Sequence, residues 1–184
     1  MDVVHYSPEH ADELRSVCLA TASERARTEE DYAAFTLAMY CDPYLEHGVA
    51  YMLVDQDGTA HGYVLACEDW DRWATDTVAY RERIEALGPD FAARYADETS
   101  YYESVKADFP AHLHIDIEEP YTGSGNGRRL METLLARLRA DGVRGVSFGV
   151  ASGNQRAVGF YSHMGFSKLV EYDGGAGCTF CMRF

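Results

Sequence analysis

Nowhere in the 184 residues does an apolar run approach the ~20 needed to cross a bilayer. The opening MDVVHYSPEH also lacks the charged-then-apolar pattern of a secretion signal. A soluble, cytoplasmic protein without a membrane partner is the expectation. Cysteine is sparse and odd in number, at Cys18, Cys41, Cys67, Cys178 and Cys181, which excludes a disulfide framework. The Cys178-x-x-Cys181 pair has no second pair beside it and sits in a strand-like TFCMRF, so it reads as strand thiols rather than a metal or redox pair. The seven histidines lack helical ligand spacing, and His112-x-His114 on a strand is a weak metal signal, so no metal is expected.

Positive charge is the other shortage, with 16 Lys and Arg against 30 Asp and Glu for a net charge of −14. It is unevenly spread: residues 1–118 carry 8 basic and 25 acidic residues, net −17, and residues 119–184 carry 8 and 5, net +3. A surface so acidic repels a phosphate backbone, which excludes nucleic acid and favours a cationic small partner. The length suits one domain spanning 1–184, with a core large enough to need no covalent staples.

What the basic end does contain is PYTGSGNGRR, Pro120 to Arg129, in which Gly123, Gly125 and Gly127 lead into the periodic run LMETLLARL. Glycines at that spacing let backbone amides close on an anion at the positive end of a helix. The loop has no Gly-Lys-Ser/Thr ending, and Arg128 stands where a dinucleotide fingerprint would place its third glycine, so ATP and NAD are disfavoured. A second motif begins 27 residues after Gly127: Asn154 to Phe166, NQRAVGFYSHMGF.

Between these landmarks the elements follow from pattern. Val3 to Tyr6 reads as a strand, followed by a helix start at Ser7-Pro8-Glu9 and another at Thr28. Tyr32, Phe35, Met39 and Tyr40 make one helical face. Val49 to Val54 and Tyr63 to Ala66 flank Asp55-Gln56-Asp57-Gly58 as a hairpin. Trp70 to Asp108 is too long for a structureless loop and too aromatic for a solvated one, so it should carry helices that pack on the domain and partly line a cleft. Ala111 to Glu118 alternates, with Leu113, Ile115 and Ile117 on a core face and His112, His114, Asp116 and Glu118 on a polar one. A helix to Gly142, a strand over 143–150 and a helix over 153–164 imply a mixed sheet with parallel neighbours. The last 20 residues return as a strand pair around Gly174 to Gly177.

The two motifs together resemble motifs A and B of the GNAT superfamily of N-acetyltransferases: an Arg/Gln-x-x-Gly-x-Gly/Ala loop, then an Asn, two helical turns, a Tyr and a closing Gly-Phe. FPAHLHID, the early segment TEEDYAAFTLAMYCDPYLEHG and the long insertion are similar to one subfamily, the acetyltransferase-like domain of O-GlcNAcases and its stand-alone bacterial relatives. The resemblance implies an α/β (α+β) GNAT fold. Its central mixed, largely antiparallel twisted sheet is splayed at the cofactor site with helices on both faces, and a helical insertion spans about 70–108. It also implies acetyl-CoA as co-substrate, held by Ile117, Glu118, Thr122, Gly123, Ser124, Gly125, Asn126, Gly127, Arg128, Asn154, Ala157, Phe160 and Tyr161. Thr122 departs from the usual Arg or Gln, and Asn126 from a branched aliphatic.

Asn154 and Tyr161 are seven apart, so both emerge on one helical face and can address one elongated ligand. Family roles carried onto these positions make Asn154 a contact to the pantetheine arm, Tyr161 the acid for the departing thiolate and Asp116 the catalytic carboxylate. His114 and His112 share the Asp116 face as proton relays or tuning groups. A strand amide around Ile117 to Glu119 is the oxyanion donor, and Arg128, Arg129 and Arg156 are candidate phosphate contacts. The acceptor expected is an amine, and the acidic balance of the chain favours a cationic one. Two other readings stay open: an acetyl-CoA-binding pseudo-acetyltransferase acting as sensor or interaction module, and a domain that associates, as a homodimer for example, through its aromatic insertion.

Overall fold

The computed structural model describes the backbone of residues 1–184 and every side chain except that of residue 173. β1 (Asp2–His5) leads through a 3-10 turn at Pro8–His10 into α1 (Ala11–Thr21), α2 (Glu24–Thr28), α3 (Glu30–Tyr40) and α4 (Asp42–His47). β2 (Val49–Val54) and β3 (Ala60–Cys67) form the expected hairpin, with β3 longer than the sequence suggested. The Asp55 carboxylate closes its turn by accepting the amides of Asp57 at 2.9 Å and Thr59 at 3.0 Å.

The insertion carries α5 (Trp70–Asp76), α6 (Val78–Ala86) and α7 (Pro89–Val105), as its length required. β4 (Ala111–Ile117), a 3-10 turn at Glu119–Tyr121, α8 (Asn126–Ala140), β5 (Gly145–Ala151) and α9 (Gln155–His163) follow. β6 (Ser167–Tyr172) and β7 (Gly177–Arg183) close the chain as a strand pair. None of the described helices is long and apolar enough to cross a membrane.

The seven strands form one sheet in the order β1-β2-β3-β4-β5-β7-β6. All neighbours run antiparallel except β4 and β5, which are joined by the α8 crossover and run parallel. That parallel pair holds register only at Ala111 with Val146 and His112 with Ser147, after which the two strands diverge. The sheet is therefore mixed, largely antiparallel and splayed at its centre, with helices on both faces.

α8 shows why the chain folds this way locally. Leu130, Leu134 and Leu138 recur at i, i+4 and i+8, Met131 and Leu135 fill the adjacent row, and all five are buried. Each contributes about 1.5–3 kcal/mol by leaving water. They pack with Leu113, Phe148 and Phe180 on one face of the sheet. The other face is covered by α1, α4 and α5, through Leu14, Tyr44, Trp70 and Trp73 against Tyr63 and Leu65.

Coverage on both faces corrects one expectation. The even-numbered face of β4 is not a solvated polar face: His112 is only 2 % exposed, because the insertion and α4 lie over it. A strand buried on both sides still alternates in sequence when one layer above it is aromatic rather than aliphatic. Cys178 and Cys181 are both free thiols, and three residues apart on one strand they project to opposite faces.

Candidate active site

The glycine loop is built in a conformation that side chains rarely adopt. Gly123, Ser124 and Gly125 have φ of +86°, +48° and +80°, three consecutive left-handed residues that turn the chain into α8. The amides of Gly127 and Arg128, in the first turn, have no carbonyl a turn back within the helix and project from its positive end. A Cβ at Gly127 would lie 3.5 Å from the Phe160 ring and 3.7 Å from Ile117 Cδ1, so the loop passes close to both β4 and α9. This cradle fits the pyrophosphate of coenzyme A.

Two flanking polar groups serve the loop itself. The Thr122 hydroxyl donates to the Glu119 carbonyl at 2.9 Å, and Asn126, 6 % exposed, donates from Nδ2 to the Tyr121 carbonyl at 2.9 Å. Asn126 thus replaces a branched aliphatic by stapling the loop internally. Of the three arginines, Arg129 binds the Met1 carbonyl at 2.7 Å and faces Asp2, which removes it from the phosphate side. Arg128 lies 3.7 Å from Glu132 and Arg156 4.0 Å from Glu119, both exposed beside the cradle.

β4 provides one wall of the splay. The Glu118 amide donates to the His61 carbonyl at 3.0 Å, so in this antiparallel ladder the even-numbered residues of β4 direct their amides to β3. Glu118 is thereby corrected as an oxyanion donor. The amides of Ile115 and Ile117 point instead toward the side where β5 has diverged. The Glu118 carboxylate is also occupied, accepting from His61 Nδ1 at 2.8 Å, while His61 stacks on Tyr121 at 3.9 Å just ahead of the glycine loop.

α9 provides the other wall. Asn154 caps it, Oδ1 accepting the Ala157 amide at 3.0 Å, a bond that does not use its Nδ2 donors. Tyr161, one face and two turns on, is 9 % exposed and packed edge-on against Phe148 at 4.6 Å and Phe160 at 5.2 Å. Burial pushes its phenol well above the ordinary tyrosine range, and the charge of Asp116 adds to the shift, so the hydroxyl stays protonated and senses the carboxylate across the sheet.

Asp116 sits on the opposite face. Tyr63, fully buried and directly across the β3–β4 ladder, donates from its hydroxyl to Asp116 Oδ2 at 2.6 Å. Burial pushes the Asp116 carboxyl above the usual range, and the Tyr63 and Thr21 hydroxyls pull it partly back. His114 lies two residues away, its ring edges against Tyr40 and Tyr44 at 5.1 Å each, and burial pushes it down to about 4, so it is a neutral imidazole at physiological pH. His112 is boxed by Tyr44, Trp70, Trp73 and Tyr102 within 5.4 Å and is held neutral by burial, a core residue that does not line the cleft of Asp116.

Two clefts meet at this point. A small one of about 190 Å³ is lined by Thr21, Phe35, His114 and Asp116, and a large one of about 780 Å³ by α7 and the diverged end of β5. Tyr40, Arg94 and His114 belong to both. Glu98 clamps the junction, accepting from the Tyr40 hydroxyl and from Arg94 Nε at 3.2 Å. Tyr63, Glu98 and Arg94 escaped the sequence analysis: Tyr63 needs the register to place it opposite Asp116, and the α7 pair needs the packing of the insertion.

The comparisons agree with this geometry. The family model described as Acetyltransferase (GNAT) family matches residues 14–166. Protein O-GlcNAcase of Rattus norvegicus and of Mus musculus are each 31% identical over 72 residues, 39% of this chain, and the match spans 8% of their length. The crystal structure of SsHAT superposes with a TM-score of 0.83 at 26% identity, covering 99% of this chain and 97% of that one. The polyamine N acetyltransferase of Drosophila melanogaster shares the fold at a TM-score of 0.67 and 15% identity, each chain covered in full. With its splayed sheet, its left-handed glycine loop at the head of α8 and a family match over most of its length, the chain belongs to the acetyltransferase (GNAT) family, the acetyl-CoA-dependent acyltransferases.

Proposed function

We propose that the protein transfers an acetyl group to an amine by direct attack within a ternary complex, with Asp116 as the base. The observation that carries this reading is the Tyr63-held carboxylate of Asp116, lining a cleft beside the point where β4 and β5 part. Acetyl-CoA supplies the acetyl group in activated form as a thioester. The residues that hold it are the cradle at Gly123, Ser124 and Gly125, the first-turn amides of α8 at Gly127 and Arg128, and Asn154, Ala157 and Phe160 along α9.

An acceptor amine is mostly an ammonium at neutral pH, with a pKa of ~10 as for lysine, and it must lose a proton before its lone pair can attack. Asp116 takes that proton on the carboxylate oxygen that Tyr63 does not hold. The amides of Ile115 and Ile117 are directed to where negative charge develops on the acetyl oxygen. Tyr161, kept protonated by its apolar surroundings, donates a hydrogen bond to the departing sulfur. The nitrogen of the tetrahedral adduct still carries one proton more than the amide, and as the C–S bond breaks that proton passes to the sulfur that Tyr161 hydrogen-bonds, so the products are the amide and the free thiol.

Thr122 and Asn126 satisfy their own loop rather than a ligand, and this favours a second reading in which the site binds acetyl-CoA as a sensor without turnover. Calorimetric titration with acetyl-CoA, followed by an amine screen with Tyr161→Phe as control, separates the two. The transferase reading expects binding by both proteins and turnover reduced about 10²-fold or more in the variant. Wild-type turnover in the variant removes Tyr161 from the chemistry, and binding without turnover of any amine leaves the sensor.

A further inference from the structure

His61, near the start of β3, has a carboxylate on each ring nitrogen. Nδ1 lies 2.8 Å from Glu118 Oε2, just past β4, and Nε2 lies 3.1 Å from Asp55 Oδ2 in the hairpin turn. A neutral imidazole carries one N–H and one lone pair, so it donates to one carboxylate and turns its lone pair on the other. Only the imidazolium donates to both. Glu13 of α1 faces the ring as a third acid, its carboxylate accepting the Ala60 amide at 2.7 Å and lying 3.2 Å from His10. None of the three acids is ion-paired to Lys or Arg among the described residues, so His61 is the counter-charge of Asp55 and Glu118. Burial lowers its pKa, and the two hydrogen-bonded carboxylates more than offset this and leave it raised.

The flat of the same ring lies on Tyr121, with centroids 3.9 Å apart and planes 19° from parallel. A cation stacked on a phenol ring is held by charge as well as by contact. Tyr121 ends the 3-10 turn ahead of the glycine loop, and its carbonyl accepts Asn126 Nδ2 at 2.9 Å. That bond closes the chain across residues 122–125, so Tyr121 and the first residue of α8 bracket the left-handed Gly123, Ser124 and Gly125. Glycine-rich backbone is entropically costly to hold in one conformation. No heavy atom lies within 4 Å of where a Cβ would stand on Gly123 or Gly125, so the loop is held from its ends rather than by packing on that side.

We propose that His61, in its doubly protonated form, is a positioning residue for acetyl-CoA: it pins Tyr121, and Tyr121 holds the glycine loop in the shape that takes the pyrophosphate. The inference rests on the glycine loop as the cofactor cradle and is independent of turnover at Asp116. Losing the proton breaks one of two charge-assisted hydrogen bonds and leaves Asp55 and Glu118 without a counter-charge beside the ring that seats Tyr121. The brace is therefore complete below the ordinary imidazole value of ~6.5 and is lost as pH rises through the raised folded value. Linkage is reciprocal, so cofactor binding tightens the hold of His61 on its proton by the same factor.

The test is calorimetric titration with acetyl-CoA between pH 5.5 and 8.5, comparing the wild-type protein with His61→Gln, whose side chain does not titrate. The phosphate monoester of the coenzyme titrates near pH ~6, but alike for both proteins, so the ratio of their dissociation constants isolates His61. The variant is expected to bind about three- to tenfold more weakly at pH 5.5, at the low end of the usual range for coupled sites, with the ratio falling to about one at pH 8.5. A ratio that does not change with pH overturns the proposal, since a merely structural role gives a constant loss. Repeating the comparison in a Tyr121→Leu background tests the route. The ratio there should be flat, and one that still varies with pH means that His61 acts on the cofactor by charge alone, which also overturns it. Nitrogen-15 spectra of the imidazole add a readout besides affinity: the ring should titrate at higher pH with free coenzyme A bound than without, and equal titration refutes the coupling. No acetyl-CoA binding to any of the proteins removes the cradle and the proposal together, whereas binding with a pH-independent ratio removes the proposal alone.

Discussion

Removing one hydroxyl at Tyr63 tests the assignment of Asp116 without disturbing the fold around it. Tyr63 is fully buried, and Tyr63→Phe keeps its ring, so no cavity opens in the α1 side of the core. What is lost is a 2.6 Å hydrogen bond to a buried carboxylate. A hydrogen bond to a charged group contributes about 1.5–3 kcal/mol, so its removal favours the protonated carboxyl over the carboxylate by about 10–100-fold. Burial already holds the Asp116 pKa above the ordinary value. If Asp116 must be ionised to accept the amine proton, the acid limb of the kcat/KM profile moves to higher pH and kcat/KM on that limb falls about 10–100-fold, with the plateau at high pH largely retained. The linkage has a definite sign. A carboxyl whose folded pKa is raised contributes stability below its unfolded pKa of ~3.9 and loses it as pH rises through the folded value. Tyr63→Phe is therefore more destabilising at pH 8 than at pH 5, and Asp116→Asn removes that difference. An acid limb that stays in place, with kcat merely scaled down, refutes Asp116 as the titrating base.

Three other perturbations probe the elements that hold the site. Gly125→Ala puts a side chain at φ +80° where its Cβ meets nothing within 4 Å, so the expected loss is the left-handed penalty alone, about 1–2 kcal/mol; acetyl-CoA should then stabilise the variant less in a thermal melt, and unchanged stabilisation takes the loop out of the cofactor site. Burial lowers the His61 pKa, but hydrogen bonds to Glu118 and Asp55 outweigh it and leave the net shift upward. That stability is present below ~6.5 and lost as pH rises through the folded value, so His61→Gln should cost about 0.5–1 kcal/mol at pH 5.5 and less at pH 8.5 by denaturant titration. Gly177→Ala would place a Cβ 2.1 Å from the Tyr172 ring; an overpacking loss of about 1–3 kcal/mol is expected, with a raised acceptor KM as the ring is pushed over the cleft.

What the sequence showed and what it hid divide along a physical line. The glycine loop, the Asn154-to-Tyr161 spacing and the α8 stripe were legible because backbone permissiveness and 3.6-residue periodicity act within a few residues of chain, whereas the capping bond of Asn154 appears only in the structure. The insertion was legible only as a necessity: its length and aromatic content demanded helices, but nothing local said that α7 would set Asp97, Glu98 and Tyr101 over the far end of a cleft floored by β5 and β7. Tyr63 was hidden for a related reason. Its pairing with Asp116 depends on a register between strands 53 residues apart, and register is fixed by the packing of whole faces rather than by either strand alone. The histidines show the converse failure. Alternation placed His112 and His114 on one polar face, and the structure separates them by what lies above: an aromatic box turns His112 into core, while His114, one repeat further along β4, borders both clefts. The glycine loop and the α9 motif are thus legible locally, and the clefts beside Asp116 and α7 arise from long-range packing. Among chains with the same glycine loop and the same Asn154 to Phe166 motif, acceptor choice should therefore follow the residues of α7 and β7 rather than either motif.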